Sequence, residues 1–188
     1  MKKIILVLLF VLTLSLGLTG CKKDNKIIIG TMSNPGEPYI KSIQKDFEEK
    51  GYKLEIKIFD SFDTPNVALN EGSIDVNLFQ HEPFLNTYNE QNNTNLYCAA
   101  KLYDCVYGAY SKKISSKEEL SSSQAKKVTI ANDASNMKRC LNILAAEGII
   151  EVEYPESGLL DPNHVDQYIV SNPYNLIISP VATASIAP

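Results

Sequence analysis

Tryptophan is missing from this 188-residue chain, histidine occurs only at His81 and His164, and arginine occurs once, at Arg139, against seventeen lysines. Each scarcity removes a class of function. With two histidines and no Cys-x-x-Cys or His-x-x-x-His spacing, the chain lacks the ligand pattern of a structural zinc site, so no metal and no cofactor is expected. No serine or cysteine stands beside a base that is itself held by an acid, which leaves a hydrolase built on His81 as the weaker reading and a non-enzyme as the stronger. A basic surface is lacking too. Lys2 and Lys3 sit in a leader, so beyond it sixteen basic side chains face 22 acidic ones, a formal charge of −6 and the wrong sign for nucleic acid. There is no internal repeat, and the one long apolar run, Ile4 to Leu18, is shorter than the roughly 20 residues a spanning helix needs.

That run follows Lys2-Lys3 and ends in Leu18-Thr19-Gly20-Cys21, which marks residues 1–20 as an export signal. The ending resembles the lipobox of bacterial lipoproteins. The resemblance implies that Cys21 carries the lipid anchor, that residues 21–25 are a polar tether, and that the folded part lies outside the cytoplasm at a cell membrane. Cys98 and Cys105 could then be joined across a turn or remain thiols, and spacing leaves both open.

The remaining chain reads as an α/β fold in two lobes, residues 26–111 and 112–188. Ile27-Ile28-Ile29 suits a strand buried in a parallel sheet; Ile40, Ile43 and Phe47 share a helix face closed by Gly51; Leu54, Ile56 and Ile58 alternate as a second strand. Pro65 opens a short helix ending at Gly72, and Ile74, Val76 and Leu78 alternate with Asp75 and Asn77 as a third strand with one buried face. Its end delivers Phe79, His81 and, one step into the next helix, Phe84 to a single rim. Tyr88 follows one turn later and is expected in the core. Such a rim, beyond the carboxyl ends of parallel strands, is where small ligands sit. Residues 96–102 and 106–110 read as two more strands, and 111–123 as the passage between lobes. In the second lobe residues 127–131 form a strand, and Asp133 or Ser135 caps a helix bearing Met137, Cys140, Leu141 and Leu144 on one face. Residues 149–152, 162–170 and 176–178 follow as strand, short helix and strand.

Arg139 lies in the first turns of that helix, with Asn132 and Asn136 beside it. A planar fork holds a carboxylate through two parallel bonds, which an ammonium cannot do, so Arg139 and Asn136 are candidates for an anionic group of a ligand.

Several segments together resemble a known family: the lipobox, Lys50-Gly51-Tyr52-Lys53-Leu54-Glu55-Ile56, Pro65-Asn66-Val67-Ala68-Leu69, Gly72-Ser73-Ile74-Asp75-Val76-Asn77-Leu78-Phe79-Gln80-His81, Gly108-Ala109-Tyr110-Ser111-Lys112-Lys113, Ile130-Ala131-Asn132-Asp133, and Asn136 with Arg139 and Leu141. The family is the NlpA lipoproteins, the methionine-binding lipoproteins of bacterial ABC importers. The resemblance implies a two-lobed, periplasmic-binding-type clamshell without catalysis. It further implies that Phe62, Phe79, His81 and Phe84 enclose a methionine side chain, that Arg139 and Asn136 take the α-carboxylate, and that an ABC permease receives the ligand. Family members continue for several dozen residues beyond the point matching Pro188, and that continuation carries an Asn for the ligand's amino group. The chain is therefore expected to be a C-terminally truncated member. The alternative is a surface lipoprotein of the same family without transport activity.

Overall fold

The computed structural model describes residues 25–121, 126–156 and 158–186. The expected leader and Cys21 lie outside the described residues. Strands β1 (Lys26–Met32), β2 (Lys53–Phe59) and β3 (Val76–Leu78) form a parallel sheet in the order β2-β1-β3. Helices α1 (Gly36–Glu49) and α2 (Thr64–Asn70) make the two connections. Ile40, Ile43 and Phe47 fall on one face of α1, and that face packs on Ile29 and Leu54 of the sheet. Beyond its end Gly51 takes φ +81°, the left-handed conformation that lets the chain turn back into β2. The start of α1 is pressed against the sheet. A Cβ on Gly36 would collide with Thr31 Oγ1 and come within 3.1 Å of the Leu78 carbonyl, the group to which Thr31 donates at 2.6 Å. Glycine therefore lets the helix start and the ends of two neighbouring strands meet at one point.

Helix α3 (Glu82–Asn92) follows β3 and leads into residues 94–111, which contain no turn and no bend. Strand β4 (Lys127–Ala131), helix α4 (Ala134–Ala146), β5 (Glu151–Val152), a 3-10 segment (Pro162–Tyr168), β6 (Ile169–Ser171) and β7 (Ile177–Val181) complete the order. β4 pairs in parallel with β7, and β5 pairs antiparallel with β6. The larger apolar core lies here: Met137 and Leu141 of α4 are fully buried against Ile130, Ile150, Leu176 and Ile178.

Several expectations fail, among them the short helix over 162–170, which is a 3-10 segment only to Tyr168 before Ile169–Ser171 pair as β6. Residues 96–102 and 106–110 carry strand-forming side chains but pair with nothing among the described residues, because a strand exists only with a neighbour to accept its backbone bonds. The stretch expected as a bare inter-lobe passage contributes buried Leu120 and partly buried Ile114 to the second core. The third strand is shorter than expected, Val76–Leu78: Ile74 just before it is buried, but Val76 is exposed, since the strand is paired on one side only, and the polar Asn77 bonds inward to Asn66. Cys98 and Cys105 are free and exposed, and no turn or bend between them brings one onto the other.

Truncating the α4 core should be costly. Leu141→Ala is expected to lower unfolding free energy by about 2–5 kcal/mol, read as a shifted urea midpoint at unchanged slope.

Candidate functional site

The rim begins with a buried amide. Asn66, on α2, has no exposed surface, so both ends of its side chain need partners inside the protein. Its Oδ1 accepts from Gln80 Nε2 at 2.7 Å and Asn77 Nδ2 at 2.8 Å, while its Nδ2 donates to Gln80 Oε1 at 2.8 Å. Gln80 is thereby held from both ends of its amide, and with it the residues on either side, Phe79 and His81.

Four rings gather there. Phe62 stacks on Phe79 at 6.0 Å between centroids, Phe84 meets both edge-on at 6.5 and 5.9 Å, and His81 tilts onto Phe84 at 6.3 Å. All four are half-buried, neither sealed in the core nor open to solvent, which is the exposure a binding rim requires. Tyr88 is half-buried and joins no ring pair among the described residues.

His81 also caps α3: its Nδ1 accepts from the Phe84 backbone N–H at 3.0 Å. With Nδ1 used as an acceptor, the neutral ring carries its hydrogen on Nε2, which donates to Asn136 Oδ1 at 2.9 Å. That bond joins the first sheet's rim to α4, and α3 packs against α4 around it.

On the α4 side the organising group is Asp133, the N-cap. Its carboxylate accepts from the Asn136 backbone N–H at 2.9 Å, from Asn136 Nδ2 at 3.0 Å, from Ser135 Oγ at 2.9 Å and from the Thr183 hydroxyl. Burial alone would raise the Asp133 pKa, but these donors outweigh it and hold the carboxyl below the usual value of 3.8. Asn136 is fixed in turn, its amide nitrogen committed to Asp133 and its oxygen to His81.

Arg139, one turn on, lays its guanidinium over the Tyr107 ring at 4.3 Å from the centroid and forms no ion pair among the described residues. A guanidinium stacked by its face keeps its N–H edge available to a carboxylate. Burial, with the Cys140 thiol next in effect, raises the Tyr107 pKa against the pull of Arg139, so the ring under the cation is neutral. A cleft of about 300 Å³ opens between Pro83 and Thr87 of α3 and Ser135, Lys138 and Arg139 of α4. Among the described residues no group of His, Cys, Asp and Glu could hold a metal, and no helix is long and apolar enough to cross a membrane.

The structure thus brings Phe62, Phe79, His81 and Phe84 into one cluster and joins it through His81 to Asn136, with Arg139 one turn along the same helix. Sequence reasoning missed Tyr107 and the anchoring roles of Asn66 and Gln80. Tyr107 lay in a run taken for a strand; Asn66 was the one polar residue between Pro65 and Val67-Ala68-Leu69, a signal that was there to be used.

A family profile described as NlpA lipoprotein matches residues 27–188. The D-methionine-binding lipoprotein MetQ of Salmonella typhimurium is 36% identical over 169 residues, spanning 87% of this chain and 60% of its own. A nutrient binding protein from Burkholderia cenocepacia, solved bound to methionine, superimposes with a TM-score of 0.75 at 30% identity, covering 83% of this chain and 64% of that one. The substrate binding protein of a methionine transporter from Streptococcus pneumoniae does so with a TM-score of 0.74 at 28% identity, covering 85% and 62%. The chain spans about 60% of the length of the curated MetQ relatives it matches.

The Asp133 cap has a signed pH dependence. Its pKa is lower folded than unfolded, so the stabilisation is present above the unfolded value of 3.8 and is lost as pH falls through the folded value. Asp133→Ala is expected to cost about 1–2 kcal/mol at pH 7, with the gap to the unaltered chain closing below pH 3.8 in urea titrations.

Proposed function

The chain belongs to the NlpA lipoprotein family, and from that membership we propose that it is a substrate-binding lipoprotein, not an enzyme, which takes up a small amino acid, L-methionine first among them, and passes it to a membrane permease. The observation that carries this reading is the half-buried cluster of Phe62, Phe79 and Phe84 with Arg139, which has no carboxylate partner among the described residues, on the facing helix. Polarisable thioether sulfur packs favourably against ring edges, so the cluster suits a methionine side chain. Arg139 takes the α-carboxylate by its open edge, with Asn136 beside it, and His81 spans from the rings to Asn136. Residues 26–111 and 112–188 act as two lobes whose approach encloses the ligand. Cys21 anchors the chain by lipid to the outer side of a cell membrane, and the polar residues 22–25 hold the lobes clear of it.

The test is a thermal melt of the chain from Lys22 to Pro188 with L-methionine, D-methionine or leucine. At about a hundred times the Kd, L-methionine should stabilise by about 2.7 kcal/mol and raise Tm by several degrees. Arg139→Lys should shift the binding curve to at least tenfold higher methionine, since the fork is lost while the charge is kept. A cooperative melt that no methionine concentration moves would end the proposal, and unchanged affinity in Arg139→Lys would take that residue out of the site.

A further inference from the structure

The hydrogen bonds at His81 run in one direction only. Asp133, its carboxyl held below the usual 3.8 by its donors, accepts the Asn136 amide nitrogen, so Asn136 must turn its oxygen to His81. That oxygen needs a donor, and His81 Nε2 supplies it at 2.9 Å. The opposite edge of the ring meets the Phe84 backbone N–H at 3.0 Å, a group that can only donate and that Nδ1 shares with the His81 carbonyl at 3.1 Å. Donor and acceptor are thus prescribed at both nitrogens, and only a neutral imidazole with its hydrogen on Nε2 fits.

A second proton has nowhere to go but Nδ1. There it points a ring N–H at a backbone N–H, so the cap of α3 is lost while the bond to Asn136 survives. No counter-charge compensates, because among the described residues no carboxylate lies within ion-pair distance of the His81 ring. Charged side chains on the elements that meet there are engaged elsewhere. Glu82 of α3 pairs with Lys101 at 2.6 Å, Asp63 at the start of α2 takes the Ser61 hydroxyl at 3.4 Å, Lys138 lies over Tyr154 and Arg139 over Tyr107, and Asp133 reaches the ring only through Asn136. His164 is placed differently, with its Nδ1 2.6 Å from the Asp161 carboxylate, where a proton gains a partner.

We infer that His81 is a proton-sensitive clasp: neutral, it caps α3 and ties it to α4, and protonated, it releases the first turn of α3 and with it Phe84. The ring cluster is therefore ordered in neutral surroundings and loosens in acid. The clasp regulates the site proposed above for methionine and in that sense rests on that reading. It is followed in the protein without ligand, so a failure of methionine to bind and a failure of the clasp are distinguishable.

The test is NMR of the full chain in mild detergent, with histidine and phenylalanine nitrogens labelled, between about pH 8 and about pH 5, the range over which imidazoles change charge. His81→Asn and His164→Asn variants assign the two rings. At the upper end His81 should show the ring shifts of the Nε2–H tautomer. As the ring gains its proton, the protection of the Phe84 amide from exchange, scaled to the intrinsic rate at each pH, should fall about fivefold, the worth of a cap. Asparagine caps a helix without titrating, so in His81→Asn the Phe84 protection should hold level across the range. An Nδ1–H tautomer, a ring that stays neutral to the lower end, or a ring that takes its proton with Phe84 protection unmoved would each overturn the clasp. The same acid loss in His81→Asn would also overturn it, by placing the titrating group elsewhere.

Discussion

The candidate site depends on one buried amide. Asn66 sits where water cannot reach, and an amide without partners in such a place costs about 1–3 kcal/mol for each group left unpaired. Gln80 and Asn77 meet that demand, and in doing so they fix the end of β3 and the peptide that follows it. Phe79 and His81 flank Gln80, so the ring cluster takes its place from hydrogen bonds made one residue away. Apolar packing alone would not specify this, because rings can slide on one another at little cost while a doubly held amide cannot.

A second polar network, centred on Asp133, does the same work on the facing helix. It orders Asn136, and Asn136 and His81 close the gap between the two. The arrangement is therefore a chain of satisfied polar groups running from α2 through the strand tip and α3 to α4, with the ring cluster on one end and Arg139 on the other. Networks of this kind specify a unique geometry when every member is satisfied, and among the described residues no buried side-chain polar atom lacks a partner.

Much of this was legible from the residues. A continuous apolar run located β1, and period-2 and period-3.6 patterns located β2, α1 and α4, because each of these buries one face against a neighbour close in sequence. The rim was legible from Phe79-Gln80-His81 meeting a proline-started helix, and Asp133 was one of two caps considered. What was not legible depends on distant partners. Residues 96–102 and 106–110 have the right side chains for strands, but strand formation is decided by whether another backbone is present, and pattern carries no information about that. Leu120 and Ile114 looked like isolated apolar residues in a polar passage, and only the packed second core gives them a place. Tyr107 became a support for Arg139 through a crossing between the two halves that no local spacing encodes.

The imidazole of His81 has two nitrogens, and both are spoken for: one receives the first free amide of α3, the other reaches Asn136. It has no spare edge. A group laid against the flat of that ring would leave both bonds intact, whereas one that claimed a hydrogen bond from its edge would have to displace Asn136 and part the two halves it joins. Any hydrogen bond sought from the edge of the ring would therefore compete with the protein's own closure.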